Sequence, residues 1–79
     1  MNNNLIPLNQ LPTGSSGRVK MLTAKGLIRR RLLDLGLINN TIITSLMRSP
    51  SGDPTAYEIR GTVIALRIEE ASKILVESI

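Results

Sequence analysis

The sequence predicts a mainly β fold: a small barrel of about five short strands, closed or nearly closed, with one short helix inserted after the first strand. Three observations carry this. Alternating or β-branched segments recur at close intervals from Arg18 onward, clusters of Gly, Pro and Asn separate them, and only Gly26–Leu37 shows a clear helical period. Short strands packed this closely leave exposed edges unless the sheet curls on itself, which favours a barrel.

The N-terminal stretch is polar through Asn4 and then carries Pro7 and Pro12, which oppose a regular helix or central strand. We read residues 1–7 as a flexible tail and residues 8–79 as the single domain. Leu8 and Leu11 are expected to plug one end of the core. After a Gly/Ser turn at 13–17, Arg18–Ala24 alternates, which predicts a half-buried strand with Val19 and Met21 inward and Arg18 and Lys20 outward.

In the helix, Ile28, Leu32 and Leu35 fall on one narrow face, and Gly36 suits a left-handed stop. Arg30 and Asp34 stand four apart and can pair across one turn. Three consecutive arginines sit early in this helix, where cations oppose the helix dipole. Helix stability does not explain them, so they are either a solvated basic face or a surface meant for another molecule. Arg31 lies nearest the apolar stripe and is expected to run along the core with its head in water.

Asn39-Asn40 marks a turn, and Thr41–Arg48 is β-branched and strand-like. Ser49-Pro50-Ser51-Gly52-Asp53-Pro54 is the strongest loop signal in the chain. Thr55–Arg60, with Tyr57 and Ile59 inward, and Thr62–Ile68, with Ile64, Leu66 and Ile68 on one face, form a hairpin about Gly61. A helical turn at 69–73 and a last strand at 74–76 complete the order.

The chain has 79 residues, no Cys, no His and one aromatic residue, so its core is aliphatic and unstapled. Area scaling buries about 62% of the surface of so short a chain, a thin core with little apolar area left for a large ligand pocket. No secretory signal and no stretch of ~20 apolar residues is seen, so a cytoplasmic protein without direct membrane insertion is expected. Charge is uneven. Residues 1–48 hold seven basic side chains and one acidic, and residues 49–79 hold three basic and five acidic. A basic half points to an acidic protein partner, a nucleic acid or an anionic membrane surface.

Chemistry is scarce. Without His or Cys there is no Ser–His or Cys–His pair, and the serines have no obvious base beside them, so no catalytic residue is assigned and no enzyme is expected. Zinc and ferrous sites favour imidazole and thiolate, leaving only weak oxygen coordination by carboxylates such as Asp53, Glu69 and Glu70. No metal or cofactor site is assigned. Gly14-Ser15-Ser16-Gly17 lacks the Lys-Ser/Thr ending of a phosphate loop and precedes a strand. RNA binding by a small barrel remains an alternative, although single-stranded readers stack bases on aromatic rings and only Tyr57 is available.

Several pieces then align with one family: Leu8, Leu11, Gly14, Gly17 and Val19; Arg31-Leu32-Leu33-Asp34-Leu35-Gly36-Leu37; Pro50 with Gly52-Asp53-Pro54; Gly61; Ala65-Leu66-Arg67; Glu70-Ala71; and Ile74-Leu75-Val76. The chain resembles FeoA, the small accessory protein of bacterial ferrous iron transport, from Leu8 on. It departs at Asn39-Asn40, where the family usually has Pro-Gly. The resemblance implies an SH3-like barrel and a role beside FeoB, a membrane iron permease with a cytoplasmic GTP-binding domain. The same domain resembles the C-terminal module of metal-dependent repressors of the diphtheria-toxin-repressor type, which keeps a transition-metal sensor or regulator as the alternative.

The expected function is binding and modulation of the FeoB-type permease, without a cofactor and without nucleic acid. The expected docking surface is Lys25, Arg29 and Arg30 with Pro50, Gly52, Asp53 and Pro54. The oligomeric state stays open between a monomer and a weak homodimer.

Overall fold

The computed structural model describes residues 4–79. Six antiparallel strands form one sheet in the order β1-β6-β2-β3-β4-β5. They are β1 (Leu5–Pro7), β2 (Ser16–Leu22), β3 (Ile42–Arg48), β4 (Thr55–Ile59), β5 (Thr62–Leu66) and β6 (Ile74–Ser78). Helix α1 (Gly26–Asp34) follows β2, and the single turn α2 (Ile68–Ala71) precedes β6.

The expected tail is corrected in part: Leu5–Pro7 pairs with β6, Pro7 lying opposite Leu75, and forms the extra strand. Pro7 is tolerated because β1 lies at the edge of the sheet, where a missing N–H costs no ladder bond. The rest of that expectation, residues 1–3, lies outside the described residues. Leu8 and Leu11 close the core as expected, both buried across a 3₁₀ turn at Leu8–Gln10.

The core gathers Leu8, Leu11, Val19, Leu32, Leu37, Ile43, Tyr57, Ile59, Leu66, Ile74 and Val76 between the sheet and α1. Burial pushes the Tyr57 phenol above its ordinary value, so this lone aromatic is a neutral core hydroxyl.

Helix α1 turns Leu32 fully inward, with Ile28 and Leu35 beside it, as the spacing predicts. It ends in a Schellman motif. Leu37 N–H donates to Leu32 O at 3.1 Å and Gly36 N–H to Leu33 O at 3.0 Å, while Gly36 takes φ +100°. Asn40 adopts φ 73°, so the Asn-Asn pair does make the turn into β3.

Two expectations fail along the strands. The first strand runs Ser16–Leu22, and Met21 is 51% exposed, not inward. The ladder with β6 shifts between Val19 and Met21, and this bulge at Lys20 reverses the faces beyond it. Ile68 does not continue β5. It opens α2 and is exposed.

Candidate functional site

At 100° per residue the inward face of α1 leaves three outer sectors. Arg30 points away from the core with Leu27 and Asp34, Arg29 shares one flank with Leu33, and Arg31 takes the other flank with Ile28. All three arginines are exposed, and so are Lys25, which precedes the helix, and Leu27, which is 87% exposed. The first turn carries no acid and no side-chain cap. The uncompensated cations expected from sequence therefore stand at the helix start.

The arginines nevertheless have different fates. Arg29 donates to the backbone O of Leu22 at 3.2 Å. Arg31 forms an ion pair with Glu70 of α2. Arg30 has no ion pair among the described residues, and the pair expected with Asp34 does not form.

The loop after β3 is tied to itself and to α2. Gly52 N–H donates to Ser49 O at 2.8 Å, Ser51 Oγ donates to Asp53 O at 3.0 Å, and Gly52 takes φ +91°. Pro50 is exposed, whereas Gly52, Asp53 and Pro54 are half-buried. Asp53 Oδ1 accepts the Ile68 N–H at 2.9 Å, and Asp53 Oδ2 lies 3.8 Å from the Arg67 guanidinium. A carboxylate from a distant loop thus satisfies an orphan donor at the start of α2. Glu70 completes this start by accepting the Arg67 N–H at 3.0 Å.

The predicted loop is therefore linked through α2 to α1, by Asp53 to Arg67 and Ile68 on one side and Glu70 to Arg31 on the other, but it is not joined to the predicted cationic half. Lys25, Arg29 and Arg30 lie outside this chain of contacts. Sequence reasoning left Arg31, Arg67 and Glu70 out of the site. The available signal was the unlike charge of Arg29–Arg31 and Glu69-Glu70, but pairing them requires the fold.

No group of three or more carboxylates that would hold a metal occurs among the described residues. The two carboxylates best placed for one, Asp53 and Glu70, already accept backbone N–H groups and face arginines. The buried Ser45 hydroxyl has no hydrogen-bond partner among the described residues.

This architecture and its sequence match known proteins. The family model for the FeoA domain matches residues 6–78. The chain belongs to the FeoA family. A Porphyromonas gingivalis protein described as a fusion of Fe(2+) transport protein A with the Fe(2+) transporter FeoB is 35% identical over 72 residues. That match covers 91% of this chain but 8% of the fusion protein, so the chain spans only a small part of that relative.

Among solved structures, a FeoA-like protein from Clostridium acetobutylicum superposes with a TM-score of 0.90 at 34% identity, covering 100% of this chain and 91% of that one. FeoA of Stenotrophomonas maltophilia, described as an SH3 domain protein complexed with zinc, gives 0.80 at 31% identity, covering 89% and 87%. The mainly β SH3-like fold is that of the family. Among the described residues no helix is long and apolar enough to cross a membrane.

Proposed function

We propose that this FeoA-family chain is a cytoplasmic accessory protein that binds a FeoB-type permease and modulates its transport through protein contacts, with no chemistry and no cofactor of its own. The observation that carries this is the relative in which a homologous domain and FeoB share one polypeptide. Fusion holds two modules at high effective concentration, an arrangement suited to partners that act in contact. The cations at the start of α1 supply a surface for it. Lys25, Arg29 and Arg30 are exposed, and Arg30 forms no ion pair among the described residues. The loop 50–54 reaches α1 only through α2 and Arg31, and in it Pro50 is exposed.

The test is the double variant Arg29→Glu/Arg30→Glu against the cytoplasmic domain of a FeoB permease at low salt. A clear loss of affinity is expected, and unchanged affinity would remove these residues from the contact.

A second reading, direct binding of a transition metal, is favoured by the Stenotrophomonas relative described with zinc. In this chain a cation at Asp53 or Glu70 would displace Arg67 or Arg31. Anaerobic calorimetry with Fe²⁺, and Zn²⁺ as control, decides. Micromolar binding lost in Asp53→Asn or Glu70→Gln would establish it.

A further inference from the structure

The flank of α1 that carries Arg29 faces a part of β2 that β3 does not cover. Strand β2 pairs with β3 only through Ser16, Gly17 and Arg18, whereas its pairing with β6 continues to Leu22. The bulge at Lys20 turns Met21 out toward this gap. Leu33 of α1 and Ile38 just after it stand opposite, 40% and 45% exposed. Between them lies an open groove of about 330 Å³. Its floor is Val19, Leu22 and Leu37, and its walls are Met21, Leu33 and Ile38.

Two cations mark the rim, and among the described residues no carboxylate lines the groove. Lys20 Nζ donates to Asn40 Oδ1 at 3.0 Å, and Arg29 donates to Leu22 O. Both partners are uncharged, so each cation is held in place without being neutralised. An ammonium has three N–H donors and a guanidinium five, so most of their donors remain available. The groove on the opposite flank, lined by Ile28, Arg31, Arg67, Glu69 and Glu70, has its cations beside acids of the same chain.

We propose that the groove between β2 and α1 is a peptide site that takes an acidic, aliphatic segment of a partner protein. Carboxylates of the segment pair with Arg29 and Lys20, and its aliphatic side chains fill the space between Met21, Leu33 and Ile38. The chemistry of the lining selects this occupant. A nucleic acid would need an aromatic platform, and the sole aromatic side chain is buried in the core. A second copy of this chain, with net charge +4, has the wrong sign. Placing the segment on the permease rests on the function proposed above; the groove itself does not.

The test has two arms. In the first, the isotope-labelled full chain is titrated with a blocked octapeptide alternating Glu and Leu, and with its Gln-for-Glu counterpart, while amide shifts are followed. Shifts confined to 19–22, Arg29, Leu33 and 37–39 are expected, with about tenfold tighter binding of the Glu peptide at low salt, as two exposed ion pairs allow. Met21→Glu and Lys20→Glu should each abolish the shifts. Both positions are exposed, and the second leaves the apolar lining intact. Equal binding of the Gln peptide, shifts centred elsewhere, indifference to both variants, or self-association through the groove would overturn the proposal.

The second arm measures wild type and the same variants against the FeoB cytoplasmic domain. Failure of wild type to bind, with the peptide arm positive, overturns the permease reading and leaves the groove. Equal binding by wild type and both variants removes the groove from the permease contact.

Discussion

The two flanks of α1 are built from the same residue types and come out opposite. On the α2 flank, Arg31 faces Glu70, and Arg67 faces Asp53. The carboxylates there also take the backbone N–H groups of Ile68 and Arg67. On the β2 flank, Arg29 and Lys20 hold only uncharged oxygens, with exposed Met21, Leu33 and Ile38 between them. One flank consumes its charge in holding the fold, and the other presents charge beside apolar surface. Consecutive arginines therefore carry no common role. A helix rotates them by 100° each, and what each one meets decides its use.

The largest expected effect comes from the inner face that supports both flanks. Leu32 is fully buried beneath α1, and Leu32→Ala should lower stability by about 2–5 kcal/mol. For a domain of this size that is a large share of the total, so urea unfolding should show a strongly lowered midpoint or a substantial unfolded population. Leu27→Ala, on the outward side, should stay within about 0.5 kcal/mol of wild type. Comparable losses at the two positions would show that the outer sectors of α1 are not the free surface described above.

Next in size is Gly36→Val. The left-handed φ of Gly36 lets the Schellman bonds close and sends Leu37 back beneath the helix. A β-branched residue there should cost more than about 1 kcal/mol, again by urea unfolding. Because Leu37 floors the β2 groove, the amides of 37–39 should also shift, whereas those around Glu70 should move little. Uniform shifts on both flanks would mean that the helix exit does not shape the groove alone.

The features read correctly from sequence are those whose cause is local. The period of Ile28, Leu32 and Leu35, the stop at Gly36, the turn at Asn40 and the inward Tyr57 and Ile59 each depend on near neighbours, and each stands where expected. What escaped depends on partners far along the chain. Met21 faces outward because β6 imposes a bulge at Lys20, which no alternation pattern records. Pro7 masks a strand that exists only because β6 offers it an edge. Ile68 keeps the spacing of Ile64 and Leu66, yet it leaves β5 because the Asp53 carboxylate captures its N–H. The same long-range contacts decide the site: Asp53 looked like a free loop acid and serves as a cap, while Arg31, expected to run along the core with its head in water, is the ion-pair partner of Glu70.

The cap provides the next test. Asp53→Ala removes the acceptor of the Ile68 N–H and should cost about 1 kcal/mol, within the usual range for a lost helix cap. Arg67→Ala, which removes only a long, exposed contact, should cost less. On the β2 flank Met21→Ala should be nearly neutral, since the side chain is half in water. If Met21→Ala cost as much as Asp53→Ala, the β2 flank would be supporting the fold after all.

The smallest effect separates the arginines directly. Arg31→Ala breaks the pair with Glu70, but the guanidinium is half exposed, so solvent screening holds its contribution to at most about 1 kcal/mol. Arg30→Ala removes a side chain with no ion pair among the described residues and should fall within about 0.5 kcal/mol of zero. Urea unfolding in dilute buffer and again near about 1 M salt sharpens the contrast, because salt should erase most of the Arg31 deficit and leave Arg30→Ala unchanged. Equal losses for the two variants at low salt, or a salt-dependent loss for Arg30→Ala, would mean that Arg30 is engaged within its own chain and would withdraw it from the surface offered to a partner.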